Sequence, residues 1–208
     1  AVICAMTSDD HIRALNEKPE LLKSCGRPLI DTLVEIRDEN DKPLPIGEIG
    51  QICAKGPQIM KGYWNKTEET AKALSGGWMH TGDAGKMDEE GFVYIQDRIK
   101  DMIVSGGENI YSTEVEAVLF SHPDVVDAAV IGVPDDKYGE VVKACVVKKK
   151  DSELGADDLI EFCKQKIASY KKPQSVDFIE EVPRNASGKV LKKVLREPYW
   201  KNRDRQVS

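Results

Sequence analysis

The sequence predicts an α+β fold in two parts, a β-rich unit over residues 1–97 and an α+β unit over residues 98–208. Three observations carry this reading. Short apolar segments broken by Gly, Pro, Asn and Asp clusters fill the first part, the pattern of short strands and tight turns. Two β-branched runs, VVDAAVIGV and VVKACVVKK, lie in the second part. Helical and strand patterns there do not alternate as repeated βαβ units, which makes α+β the better class.

Element by element, residues 1–29 are poorly patterned and begin abruptly, as though continuing from something larger. TLVEI at 32–36 reads as a strand, followed by the turn-forming DENDKPLPIG, and IGQICAKG at 49–56 reads as a second strand. TEETAKAL at 67–74 is helix-like. Gly76-Gly77-Trp78 re-enters a strand expected to end at a TGD turn (81–83), and GFVYIQD at 91–97 is the next strand. A strand pair is expected through MIVSGG and its flanks. A helix then opens at Thr113, which with Glu116 makes a T-x-x-E capping box; it buries Val115, Val118 and Leu119 and stops before His122-Pro123. The two β-branched runs are joined by PDDKYGE, a hairpin signal. DDLIEFCKQKIASY places Leu159, Ile160, Cys163 and Ile167 on one helical face, with Pro173 closing it. SVDFIEEVP is a last strand and VLKKVLREPYW a terminal helix.

Composition narrows the class. At 40% hydrophobic and 32% charged residues, the 208-residue chain fits one ordinary globular domain or two small ones. No apolar run approaches the ~20 residues of a membrane-spanning helix, and AVICAMTSDD has neither the basic nor the apolar region of a secretory signal. Five cysteines, Cys4, Cys25, Cys53, Cys145 and Cys163, are odd in number and without C-x-x-C spacing, which argues against a zinc site or a disulfide framework. A reducing cytoplasm is the expected compartment. The net charge of −6 falls on residues 1–97, with 17 acidic and 11 basic groups, while 98–208 balance at 19 of each. The stretch from Arg184 to Arg205 is locally basic through Lys189, Lys192, Lys193, Arg196, Lys201 and Arg203. That reads as a solvated helix face, or as contact with a polyphosphate or an anionic membrane surface. No basic–aromatic platform points to nucleic acid.

Four segments carry candidate chemistry. Asp83, in TGD, offers two coplanar acceptors that suit a ribose diol, or it stabilises its own turn. Arg98, in DRIKD, can bind phosphate or ribose oxygens, or pair with Asp97 or Asp101. Gly106-Gly107 removes side chains where a narrow ligand arm must pass the backbone, or forms an ordinary hairpin turn. Lys189 ends PRNASGK. This is not a phosphate loop, because Pro183 stands where the first Gly belongs and Val190 replaces the hydroxyl residue. Lys189 is an exposed structural lysine, or a single ammonium presented to a phosphoryl transition state. Trp64 and Trp78 are expected to pack the β unit, and His80 and His122 lack a partner at triad spacing.

Taken in order, TGD, DRIKD, SGGENIYSTEVE and PRNASGK resemble the C-terminal portion of an acyl-adenylate-forming enzyme, and within that superfamily fatty-acid–CoA ligases above all. The resemblance runs from about Gly26-Arg27-Pro28 to LKKVLRE. It implies that residues 1–97 are the β-rich end of a large N-terminal AMP-binding domain and 98–208 its small C-terminal lid. It implies ribose binding by Asp83, nucleotide contact by Arg98, a hinge at Lys100, a pantetheine tunnel along Gly106-Gly107 with weaker candidates Glu108 and Asn109, and catalysis by Lys189. The implied reaction joins a carboxylic acid, in particular a medium- or long-chain fatty acid, to AMP from ATP with magnesium, then transfers the acyl group to CoA. The family's phosphate loop and Y-G-x-T-E segment are not in this sequence. The chain is therefore expected to start just past the latter, to need an N-terminal partner portion, to supply no metal ligands and to be inactive alone. Two other readings stand beside it: an adenylation domain that loads a carrier protein, and a non-catalytic interaction module. Oligomeric state is left open.

Overall fold

The computed structural model describes residues 1–201. The chain divides into two compact units, one covering Ala1–Ile99 and one from Lys100 onward.

In the first unit β1 (Cys4–Ala5) pairs antiparallel with β2 (Arg27–Pro28), and α1 (Ser8–Asn16) lies between them in the chain. The unpatterned N-terminal stretch therefore contains a helix. Its start signal is Thr7 with Asp10: Thr7 Oγ1 accepts the Asp10 amide at 3.1 Å, and Asp10 Oδ2 accepts the Thr7 amide at 2.9 Å. This is a capping box with Asp in the place usually held by Glu or Gln, so the pattern is easily missed.

Strands β3 (Leu33–Arg37), β4 (Gly50–Lys55), β5 (Met79–Met87) and β6 (Val93–Arg98) make an antiparallel meander in chain order, with α2 (Thr67–Ala73) between β4 and β5. Val34, Ile36, Ile52, Ala54 and Val93 form its core. Phe92, fully buried, packs with Ala14 and Leu21, with the Arg27 guanidinium 4.5 Å from its ring centroid. Phe92→Ala removes the largest buried side chain that joins α1 to the meander. It is expected to destabilise the first unit by about 3–5 kcal/mol, read as a lowered urea midpoint; a loss below ~1 kcal/mol would contradict this packing. The two tryptophans part company. Trp78 lies under Arg37, 4.3 Å from guanidinium carbon to ring centroid, whereas Trp64 is 90% exposed and does not pack the β unit as the sequence suggested.

In the second unit β7 (Ile103–Ser105) and β8 (Glu108–Ile110) form a hairpin, followed by α3 (Ser112–Phe120), β9 (Val125–Asp135), β10 (Gly139–Lys148), α4 (Ala156–Lys164), β11 (Ser175–Phe178) and α5 (Lys192–Trp200). β10 pairs antiparallel with β9, parallel with β11, and at Gly139 with Ser105 of β7. The continuous apolar character of β9 and β10 has a direct cause: both faces of this sheet are covered. Val142, Ala144 and Val146 face Val115, Leu119, Leu159 and Cys163 of α3 and α4. Ile131, Val133 and Cys145 pack on the other face with Ile179 and Leu195 of α5. The order β10–α4–β11 is a single parallel crossover, so the unit keeps its α+β character.

Several boundaries differ from expectation. α3 begins at Ser112 with Tyr111 at the N-cap, and no N-cap side chain bonds its first turn. The Thr113–Glu116 capping box is not used, because the Glu116 carboxylate accepts the Val130 amide at 2.8 Å and pairs with Lys192 at 2.7 Å. Tertiary partners outbid the local one. α4 ends at Lys164, short of Pro173, where Cys163 O accepts both the Lys166 and Ile167 amides at 3.0 Å and the last turn tightens. β11 stops at Phe178 rather than running to Pro183.

The basic stretch is partly tied down rather than freely solvated. Arg184 pairs with Asp127 at 2.9 Å, Lys192 with Glu116, and Arg196 with Asp101 at 2.9 Å. Trp200 Nε1 donates to Gly132 O at 3.0 Å, fixing α5 on β9. Arg203 and Arg205 lie outside the described residues. No described helix is long and apolar enough to cross a membrane.

Candidate functional site

The TGD segment is not a turn at the end of a strand. β5 runs through it, and the segment is an irregularity inside the sheet: Cys53 and Gln51, two apart on β4, pair with His80 and Ala84, four apart on β5. Thr81–Asp83 thus oppose one residue, Ile52, as a bulge. Each member has a physical task. Thr81 Oγ1 donates to Ile52 O at 2.8 Å and accepts the Asp83 amide at 3.1 Å, satisfying ladder groups that the bulge leaves unpaired. Gly82 takes φ +75°, a left-handed backbone that glycine adopts at little cost. Asp83 is thereby re-aimed.

The re-aimed carboxylate meets Arg98. The two residues are directly paired between β5 and β6, and Arg98 Nε lies 2.8 Å from Asp83 Oδ1. Arg98 is therefore joined to Asp83, not to Asp101, whose carboxylate pairs with Arg196. Asp97, buried at 6% exposure, accepts the Arg98 amide at 2.7 Å and fixes the end of the strand. Asp83 and Thr81 line a cavity of about 370 Å³ whose other walls include Ile52, Val93, Cys4 and Cys25. That volume lies in the range of small-molecule pockets. The Cys4 and Cys25 thiols border it together, Cys25 Sγ donating to Val93 O at 3.2 Å. Each thiol acts on the other: Cys25 beside it, with burial, raises the Cys4 thiol, and Cys4 lowers Cys25 to about 7. Sequence reading gave these cysteines no place near Asp83, because nothing in their spacing shows that β1 and the residue before Gly26 border this cavity.

In the second unit Gly106 and Gly107 form the two-residue turn of the β7–β8 hairpin, with φ +59° and +87°. Two successive positive φ values are the geometry of a type I′ turn, so this is a hairpin turn and a side-chain-free surface at once. The Gly106 amide donates to Tyr138 O at 2.9 Å, and a Cβ at Gly106 would stand 3.2 Å from the Tyr138 ring. Glu108 and Asn109 follow, both exposed. Lys100 is exposed within the turn Ile99–Asp101 at the division between the units, and its carbonyl accepts Arg196 Nη1 at 3.2 Å.

Lys189 stands on a separate, tightly built turn. Asn185 Oδ1 accepts the Ser187 amide at 3.0 Å and the Lys189 amide at 2.9 Å, while the Asn185 amide donates to Lys189 O at 2.9 Å. Gly188 has φ +81°, and its carbonyl accepts Arg184 Nη1 at 2.9 Å. Arg184 in turn grips Asp127 on β9. The backbone is thus rigid and the side chain of Lys189 exposed. The structure brings Asp83 to Arg98 within the first unit. It puts Gly106, Gly107, Glu108 and Asn109 on one hairpin of the second unit and Lys189 on another element of it. The supporting roles of Thr81, Arg184 and Asn185 were not assigned from sequence. For Asn185 the Asn-x-Ser-Gly string, an Asx-turn signal, points to it.

Comparison with known proteins adds an independent line. Residues 1–64 match the AMP-binding enzyme family and residues 114–189 the AMP-binding enzyme C-terminal domain, together more than half of the chain. A feruloyl-CoA synthase of an Amycolatopsis species is 44% identical over 180 residues, covering 86% of this chain and 37% of that protein. A 2-succinylbenzoate–CoA ligase of Bacillus cereus is 42% identical over 195 residues (94% and 38%). A fatty acid–[acyl-carrier-protein] ligase, ScoC, of Streptomyces coeruleorubidus is 42% identical over 188 residues (90% and 36%). Among solved structures, ATP-bound MatB from Rhodopseudomonas palustris superposes with a TM-score of 0.80 at 40% identity, over 85% of this chain and 36% of that one. The o-succinylbenzoate CoA synthetase of Bacillus subtilis with its acyl-adenylate intermediate gives 0.81 at 38% identity (93% and 38%). The chain thus spans a little over a third of the length of the relatives it matches. By these family matches, and by identities of about two residues in five spread along both units, the chain belongs to the acyl-adenylate-forming, AMP-binding enzyme family.

Proposed function

We propose that the full-length protein is an ATP-dependent acid–CoA ligase, forming an acyl-adenylate and then an acyl-CoA thioester. The observation that carries this reading is the Asp83–Arg98 pair, set by the bulge, with Asp83 lining a cavity of small-molecule size. A carboxylate with one oxygen held at 2.8 Å by a guanidinium keeps its second oxygen for a hydroxyl donor, which is what a ribose diol requires. Arg98 keeps the remaining guanidinium donors of its fork for ribose or phosphate oxygens. MatB with ATP, and the succinylbenzoate synthetase with an acyl-adenylate, support nucleotide as the ligand of this region.

The remaining residues divide by step in this reading. Lys189 is the charged group of adenylation, placing an ammonium where negative charge builds on the α-phosphate and the attacking carboxylate. Gly106-Gly107 serves the second step by leaving room for the thiol arm of CoA beside the backbone, with Glu108 and Asn109 flanking it. Lys100 is the hinge, exposed and at the unit division, where one residue can absorb a large φ/ψ change. Magnesium would accompany the triphosphate as part of the substrate. For the acid we favour a medium- or long-chain fatty acid, on the resemblance of residues 166–197; the names of two relatives favour aromatic acids instead. The likeness to ScoC favours a second reading, transfer to a carrier protein.

The test is acid-dependent ATP–pyrophosphate exchange and thioester formation by the full-length protein across fatty, aromatic and dicarboxylic acids, with CoA or a phosphopantetheinylated carrier as acceptor. No exchange with any acid would refute the ligase reading, and thioester on the carrier alone would replace CoA as acceptor. Asp83→Ala is expected to raise the KM for ATP about 10- to 100-fold, the loss of one or two charge-assisted hydrogen bonds. An unchanged KM would remove the ribose from Asp83.

A further inference from the structure

Three groups of metal-ligand type meet in the first unit. Asp41 lies in the β3–β4 loop, Cys53 on β4 and His80 on β5, with Cys53 and His80 directly paired across the ladder. One donor atom from each lies within 4.8 Å of the other two. Cys53 is fully buried.

His80 holds the decisive detail. Its Nδ1 is 2.9 Å from Gln51 Oε1, the nearer of two neighbours, with Cys53 Sγ at 3.5 Å. An amide oxygen only accepts, so Nδ1 carries the proton and Nε2 presents a lone pair. Across from Nε2, at 3.6 Å, stands Asp41 Oδ1. Among the described residues, Nε2 is the buried side-chain nitrogen or oxygen that has no hydrogen-bond partner. A lone pair and a carboxylate facing each other across a buried gap repel unless positive charge lies between them. A bridging proton does not suit the distance, since N–H···O bonds span about 2.7–3.2 Å. A tetrahedral ion does: ligands at about 2.0–2.2 Å from such a centre stand roughly 3.4 Å apart.

Charge and framework agree with this. Arg37 bridges Asp41 at 3.2 Å and Glu35 at 2.7 Å, leaving one net negative charge among those three side chains. A Cys53 thiolate would make that two, which a divalent cation neutralises. The loop carrying Asp41 is fixed in advance. Asp38 Oδ1 accepts the Asn40 and Lys42 amides at 2.9 and 2.8 Å, and Gly76 leaves space that a Cβ would take from Asp41 Oδ2, only 2.7 Å away. An imidazole whose far nitrogen is held by a carbonyl is the usual arrangement behind a metal ligand.

We propose that Asp41, Cys53 and His80 bind a divalent cation of the zinc class, a mixed sulfur, nitrogen and oxygen set with Gln51 orienting the imidazole. On binding, Cys53 releases its thiol proton to solvent and its sulfur becomes a metal ligand. No oxidation change is involved. This site is independent of the ligase reading and would stand if that reading failed.

The experiment titrates the metal-free 208-residue chain with cobalt(II), followed by zinc(II) competition against a chromophoric chelator. One equivalent of cobalt is expected to give a thiolate-to-cobalt charge-transfer band with tetrahedral ligand-field bands, displaced by one equivalent of zinc. Cys53→Ser is expected to abolish the charge-transfer band, and Gln51→Ala to weaken zinc about 10- to 100-fold. The Cys4→Ser/Cys25→Ser double variant should bind as the parent does, which separates this site from the other thiol pair of the unit. If Cys53→Ser does not fold, His80→Asn carries the test, with loss of the tetrahedral bands expected. Absence of the band in the parent chain would overturn the proposal. So would its persistence in Cys53→Ser, or unaltered ligand-field bands in His80→Asn.

Discussion

Replacing Lys189 with Ala in the full-length protein is expected to slow adenylation about 10²- to 10³-fold, the loss of one preorganised charge donor to a transition state. Thioester formation from supplied acyl-adenylate should be unchanged. The selectivity follows from how the turn is built. Asn185, Gly188 and Arg184 hold its backbone through bonds that do not involve the Lys189 side chain. Truncating an exposed side chain on such a turn changes stability by ~0.5 kcal/mol or less. The loss would therefore be chemical rather than structural. Pyrophosphate exchange measures the first step, and CoA-dependent consumption of acyl-adenylate the second. Equal loss in both would remove Lys189 from its assigned role.

Gly107→Phe should show the opposite selectivity: adenylation close to normal and thioester formation reduced about 10²-fold, the cost of a misplaced or excluded reactant. A Cβ at Gly107 meets nothing within 4 Å, so a side chain can leave the backbone there without a clash at its root. The φ of +87° adds strain of about 1–2 kcal/mol for an L-residue, which the second unit should survive. Gly106→Ala is a less clean variant, because its Cβ presses on the Tyr138 ring. Unimpaired thioester formation in Gly107→Phe would dismiss the tunnel. The two variants together separate the half-reactions: a fold defect in either lowers both rates, whereas the proposed roles lower one each.

The strand runs of the second unit were legible because a sheet covered on both faces must be apolar at consecutive positions. The helix α3 was legible in extent but not in its capping. Thr113 and Glu116 have the spacing of a capping box, yet Glu116 is turned to the Val130 amide and Lys192, groups 14 and 76 residues away in sequence. Local signals of that kind are worth about 1 kcal/mol. A partly buried ion pair joined to a backbone hydrogen bond competes on equal terms. Lys143 makes the same point from inside a strand. It interrupts an apolar run and is nonetheless 8% exposed, because Asp177 on β11 meets its ammonium at 2.6 Å. Burial alone would raise the Asp177 carboxyl; Lys143 and Tyr199 lower it below the ordinary value instead.

The sequence by itself determined the α+β class, the strand-rich first half and the family resemblance, and it singled out Asp83, Arg98, Gly106, Gly107 and Lys189 as candidates, since each rests on neighbours within a few residues. Only the tertiary structure decided that TGD is a bulge inside a strand, that Asp83 takes Arg98 and not its own turn as partner, and that Asp41, Cys53 and His80 converge. Those outcomes depend on which strand lies beside which, and in what register. Pairing across a sheet is fixed by the summed burial of whole strands, so no local string of residues records it.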